Sequence, residues 1–357
     1  MEDSRQTSLV TVVIPMFNAY PFIKDMLECM EKQTYSKWEL IIVDDGSTDE
    51  SVPTVEDFSK KDKRIKLIKR PENRKKGGNT CRNIGLENAK GEYIIWFDAD
   101  DLIAPYNLEQ RVNFIQNHKD IDFAIFPAMA FKHEIGDTPM ITGAKGTFND
   151  YHNFLKNYVP FQVVTNLYKR KALIENDLKW DENLMGRQDP DFNISALKKN
   201  LSYKYSHLKP DYFWRILGNN QSVSKQLLTP QKLNINLYYL HKRISNDLNK
   251  STKSSIQFLT LYILFPYLKA KRQNDVYKIL NIIGDKIKVV NKEKIQYYFK
   301  LSNSWNSTIA IHLTLWALFP MPSMRLFFET KINNFKIKLL AKIYKKRFSV
   351  SEQVFLP

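Results

Sequence analysis

At 357 residues, 43% of them hydrophobic and 13% aromatic, the chain fits a globular protein with ample material for a core. Two cysteines, Cys29 and Cys81, exclude a disulfide framework at this length, and no ligand spacing suggests zinc. The formal charge of +16 is uneven: residues 221–357 carry 23 Lys and Arg against 6 Asp and Glu, whereas residues 1–220 carry 31 against 32.

Met1-Glu2-Asp3-Ser4 has acids where a signal peptide needs bases and an apolar stretch, so a cytoplasmic protein is expected. Val10-Thr11-Val12-Val13-Ile14 is a β-branched run stopped by Pro15, the pattern of a short strand. Residues 19–33 have helical apolar spacing through Phe22, Ile23, Met26, Leu27 and Met30. Residues 38–43 read as a second strand, and in the polar stretch that follows Ser47 and Glu50 form a capping-box pattern for the next helix. Further strands are expected at 64–68, 93–97 and 123–126, with helices at 78–90 and 106–118 between them. This alternation predicts an α/β fold with a mainly parallel sheet, which binds ligands at the carboxyl ends of its strands. Asn18, Asp44, Asp45, Asp98 and Asp100 all fall at such ends. Residues 131–225 are less regular, and beyond about 230 the chain reads as helices rich in Leu, Ile, Tyr and Lys. The composition shift divides the chain into a first domain, 1–225, and a helical, basic region, 226–357.

Asp98-Ala99-Asp100-Asp101 ends the apolar run 93–97. Carboxylates crowded at a strand end repel one another and lose hydration unless something positive sits among them. A hard cation, Mg²⁺ or Mn²⁺, shared with a diphosphate would answer that need; a solvated acidic turn or helix cap is the plainer alternative.

Four blocks in order carry a resemblance: Thr11–Asn18, Ile42–Asp49, Gly78–Leu86 and Gly91–Asp101. Together they resemble the family 2 glycosyltransferases, inverting enzymes of GT-A fold found in bacterial surface-polysaccharide synthesis, over about residues 8–225. The resemblance places Pro15, Phe17 and Asn18 beside a nucleotide base, with Phe17 where a tyrosine is more usual. It places Asp45 on a uracil or guanine N–H. Gly78 and Arg82, where a helix begins, would meet the diphosphate, since helix N-termini offer amide donors. Asp100 would be the principal metal ligand and Asp98 its helper, facing the ribose or the metal; Asp101 could assist. Gln188-Asp189 resembles an acidic pair that is usually Glu-Asp, and implies Asp189 as the general base. Asp189-Pro190 is also a good start for a helix, where capping would lower the carboxyl's pKa. Arg215, before the Gly218–Ser224 loop, matches an arginine and a closing loop over the diphosphate.

The donor implied is a nucleotide-sugar, with UDP the first choice, and the acceptor a hydroxyl of a glycan or lipid-linked glycan. Residues 301–324 carry no charge, and 331–347 hold seven Lys and Arg interleaved with apolar residues. That pattern suits an anionic membrane surface, hence a peripheral membrane enzyme, or else a helix packed on the protein. A non-catalytic nucleotide-sugar scaffold is a second class. Nucleic-acid binding is a third, disfavoured because the basic excess is confined to the tail and no such motif is present.

Overall fold

The central strands bury both faces, as the unbroken apolar runs in their sequences require. The computed structural model describes residues 8–144, 149–217, 228–270 and 272–283. The first half alternates as β1 (Val10–Met16), α1 (Phe22–Glu31), β2 (Trp38–Asp44), α2 (Ser51–Lys61), β3 (Ile65–Lys69), α3 (Gly78–Asn88) and β4 (Tyr93–Trp96). There follow β5 (Leu102–Ile103), α4 (Asn107–Gln116), β6 (Phe123–Ile125), β7 (Ala128–Phe131), β8 (Ile141–Thr142) and α5 (Asp150–Leu155). Next come β9 (Asn166–Lys169), α6 (Arg170–Glu175), α7 (Gln188–Lys198), β10 (Tyr203–Tyr205) and β11 (Tyr212–Arg215). Three helices close the described chain: α8 (Pro230–Asp247), α9 (Lys253–Lys269) and α10 (Gln273–Ile283).

Seven strands form one sheet in the order β10-β6-β9-β4-β1-β2-β3, parallel throughout except for β9, which runs against both β4 and β6. A smaller sheet, β5-β11-β7-β8, lies beside it in the same unit. Helix α3 packs closely on β1: a Cβ added at Gly85 would stand 2.1 Å from Val13 Cγ1. The buried ion pair of Arg111 (α4) with Asp211, 2.6 Å and fully shielded, ties α4 to the residue before β11; Arg111 also donates to the Val164 carbonyl.

One expectation needs correcting. Ser47 and Glu50 do not form a capping box: Glu50 stands at the cap of α2 without a side-chain cap bond. Asp49 does that work, accepting the Ser51 amide at 3.0 Å. Ser47 Oγ instead accepts the Asn18 amide, and Ser51 Oγ the Ala19 amide. The loop after β1 is thereby stitched to the loop after β2, so α1 starts at Phe22 rather than at residue 19.

Among the described residues, 8–144 and 160–217 form one compact unit. Residues 149–159 and those from 228 onward form a second, of α5 and α8–α10. In it Thr229 caps α8, with Pro230 at the first helical position. Tyr151 donates to Asp247 at 3.1 Å, and His152 Nδ1 lies 2.9 Å from Ser255 Oγ. No helix among the described residues is long and apolar enough to cross a membrane. The uncharged run 301–324 and the basic segment 331–347 lie outside the described residues.

Candidate active site

The ladder delivers the site residues to one edge. The Asp45 amide donates to the Met16 carbonyl and the Phe97 amide to that of Val13, so the carboxyl ends of β2, β1 and β4 lie side by side. Phe17 is 47% exposed there, with Lys76 Nζ 4.0 Å from its ring centroid. Asn18 turns the chain with φ of 47°, a left-handed conformation asparagine tolerates, and its Oδ1 accepts the Thr48 amide at 2.8 Å. Pro15 stays in β1, in register with Val43.

Asp44 and Asp45 divide their labour. Asp44 accepts the amides of Gly46 and Ser47 and shapes the turn. Asp45 is buried and bonded through Oδ1 to Arg70 Nε. Among the described residues its Oδ2 has no hydrogen bond, which leaves one oxygen for a donor N–H.

Helix α3 is the platform of the site. Its Asn79 and Asn83 hold the segment before α7: Asn79 Nδ2 donates to the Asp181 and Leu184 carbonyls, while Asn83 exchanges bonds with the Trp180 backbone. Arg82 lies on the same helix, nearly buried and 4.7 Å over the Trp180 ring. Its Nη1 donates to Gln188 Oε1 at 2.9 Å and its Nη2 to Asp98 Oδ1 at 2.8 Å, joining the end of β4 to the start of α7. A Cβ at Gly78 would meet Arg82 Nη1 at 3.2 Å, so the glycine keeps this bridge uncrowded.

The three aspartates of the acidic turn are unlike one another. Asp98 gives one oxygen to Arg82 and keeps 42% of its side chain exposed. Asp101 is buried: Tyr212 donates to one oxygen at 2.6 Å and the Arg215 amide to the other at 2.7 Å. Burial and the neighbouring carboxylates push its carboxyl well above the usual range. Among the described residues no other residue donates to the Asp100 carboxyl, and burial with repulsion from Asp98 lifts it to about 6. Arg215 is turned onto the protein. Its Nε donates to the Asp100 carbonyl at 2.9 Å and its Nη2 to Asp25 at 3.0 Å, with its guanidinium 4.8 Å from the rings of Phe22 and Phe131. The loop expected at 218–224 lies outside the described residues.

Asp189 sits in the first turn of α7, one residue past its start, and the cap position belongs to Arg187 with φ of 58°. The expectation that it caps the helix with a lowered pKa is therefore corrected. Burial is the larger effect and, with repulsion from Asp98, lifts its carboxyl to about 6 despite Arg82 and the Val163 amide. Raising a carboxyl into that range suits a general base.

The structure brings Asp98, Arg82, Gln188 and Asp189 together through α3, and holds Asp45 two strands away, at the end of β2. Reasoning from the sequence missed Arg70, Tyr212, Asp25 and the two asparagines of α3. Asn79 and Asn83 stand inside the Gly78–Leu86 block, where two amides at helical spacing i, i+4 were a usable signal. Among the described residues, no three His, Cys, Asp or Glu side chains converge as a metal cage. A hard cation that shares its shell with phosphates needs only one or two carboxylates, and Asp100 with the Asp98 oxygen not taken by Arg82 fits that requirement.

A family model described as glycosyl transferase family 2 matches residues 11–177. An uncharacterised glycosyltransferase of Haemophilus influenzae is 31% identical over 267 residues, 74% of this chain and 98% of its own. The putative teichuronic acid biosynthesis glycosyltransferase TuaG of Bacillus subtilis is 36% identical over 61% of this chain and 82% of its own length. Among solved structures, TarS 1–349 of S. aureus in complex with UDP-GlcNAc superposes with a TM-score of 0.58 over 86% of this chain and 91% of that one. At 19% identity that likeness is one of fold.

Proposed function

The chain belongs to glycosyl transferase family 2 and has its GT-A fold, and from that premise we propose that it moves a sugar, with inversion, from a UDP-sugar to a hydroxyl of a glycan or lipid-linked glycan. The observation that carries this reading is the Arg82 bridge between Asp98 and Gln188, beside a carboxyl held at about 6 on Asp189. Asp189 takes the proton of the acceptor hydroxyl, and the acceptor oxygen attacks the anomeric carbon from the face opposite the diphosphate. The bond to the diphosphate oxygen breaks, and its electron pair leaves with UDP.

Pro15, Phe17 and Asn18 hold the base end of the donor, and the open oxygen of Asp45 accepts the uracil N–H. Gly78 and the amides at the start of α3 face the diphosphate, and Arg82 orients both Asp98 and Gln188 for it. Asp100, helped by Asp98, would hold a Mg²⁺ or Mn²⁺ ion, which when bound neutralises charge on the departing diphosphate. Arg215 serves indirectly by fixing the Asp100 main chain. TuaG supports a surface-polysaccharide setting, and the UDP-GlcNAc complex of TarS supports UDP as the nucleotide. The basic last third supports contact with an anionic membrane surface.

The test is Asp189→Asn, assayed against a panel of UDP-sugars. Donor binding is expected to persist while transfer falls by roughly 10²–10⁴-fold. Unchanged turnover would sink the assignment.

A further inference from the structure

Trp180 stands in the segment between α6 and α7 with its ring buried, and that ring meets all three elements that carry the candidate site. The Arg82 guanidinium of α3 lies over it, 4.7 Å from the centroid. Phe192 of α7 stacks on it, with centroids 4.3 Å apart and planes 23° from parallel. Trp96, the last residue of β4, meets Trp180 and Phe192 edge-on at 5.5 and 5.3 Å, and its Nε1 donates to the Arg82 carbonyl. β4 leads to Asp98, α3 carries Arg82, and α7 begins with Gln188 and Asp189.

An indole is an unusual choice for such a place. Its Nε1 is buried and, among the described residues, has no hydrogen-bond partner. A buried donor left unpaired destabilises a fold, and a core tryptophan usually finds an acceptor for it. Phenylalanine would fill a plain core without that loss. What the indole adds is the ring face that attracts a cation most strongly, and more so where water is excluded. Arg82 is such a cation, with only 8% of its surface exposed. Its bonds to Gln188 and Asp98 aim the two Nη atoms, while the ring beneath restrains the tilt of the plane they share. Trp180 is itself pinned, since its amide and its carbonyl each bond the Asn83 side chain at 2.9 Å.

We propose that Trp180 is a positioning residue for sugar transfer: its ring holds the Arg82 guanidinium, and through it the spacing of Asp98, Gln188 and Asp189. The inference rests on the reading of these four residues as the site of transfer.

The test is nitrogen-15 NMR of the arginine side chains in the full chain, with the Arg82 signals identified by their loss in Arg82→Lys. Held on both Nη atoms and against a ring, Arg82 should give two resolved Nη signals in the parent protein. Trp180→Leu should merge them into one, and Trp180→Phe should keep them apart, because a phenyl ring still offers a face. On a UDP-sugar turned over by the parent, Trp180→Leu should lower kcat by about 10–100-fold, and Trp180→Phe should restore most of it. In an Arg82→Lys background Trp180→Leu should cost nothing further, the non-additivity of residues that act through one another. A single averaged Nη signal in the parent would overturn the proposal without need of a variant that folds. So would resolved signals in Trp180→Leu, equal losses from the Leu and Phe variants, or losses that add to that of Arg82→Lys. Full turnover by Asp189→Asn, with the Trp180 variants behaving as expected, would remove the base assignment and leave Trp180 as the holder of Arg82.

Discussion

At the scale of single residues, Asp189 and Asp101 show how environment separates like groups. Both carboxyls are raised by burial, yet Asp101 is enclosed by the Tyr212 hydroxyl and the Arg215 amide, whereas among the described residues Asp189 has the Val163 amide and the field of Arg82. As a base Asp189 must be ionised, so kcat is expected to rise with pH through about 6 and to level off above it. An acid limb near 4 would contradict its assignment. The stability effect has the opposite sense. A carboxyl raised in the folded state binds its proton more tightly there than in the unfolded chain, so folding weakens as pH rises from 4 through 6. Asp189→Asn removes that penalty and should be more stable than the parent at pH 7, by on the order of 1 kcal/mol, with the gap closing toward pH 4. Thermal melts of the two proteins across that range measure it. These pairings were hard to read beforehand. The carboxylates stood out because they end strands, but Asp101 meets Tyr212 across 111 positions and Arg215 meets Asp25 across 190, which no local pattern encodes.

At the scale of elements, legibility followed burial. β1 and β2 were readable because strands buried on both faces are written as unbroken apolar runs. β5 and β8 have two residues each, too few for any period, so the second sheet was not foreseen; nor was β9, which runs against its neighbours in the first sheet inside a stretch without alternation. Two joints should reveal themselves on mutation. Gly85→Ala would drive a methyl into Val13 where α3 crosses β1, and urea melts are expected to show a loss of about 1–3 kcal/mol. Asp211→Asn would leave the Arg111 guanidinium buried without its counter-charge, a loss of about 3–5 kcal/mol by the same measurement.

At the scale of the whole molecule, charge and fold are segregated: the site lies in a part with near-balanced charge, while residues 221–357 hold the basic excess. If that excess binds anionic membranes, deleting residues 325–357 should abolish co-sedimentation with phosphatidylglycerol vesicles, and raising the salt should weaken it in the full chain. Equal pelleting of both forms would refute the membrane contact. The two sheets of the first unit meet at Tyr212, whose hydroxyl accepts the Asp98 amide and donates to Asp101. That junction bears on attempts to retarget the enzyme to other sugars. A library randomised at 98, 100 and 101 together would be thinned at 101 by failure to fold before any donor was tried. A library that holds Asp101 and Tyr212 fixed keeps that junction, and with it the fold, in every member.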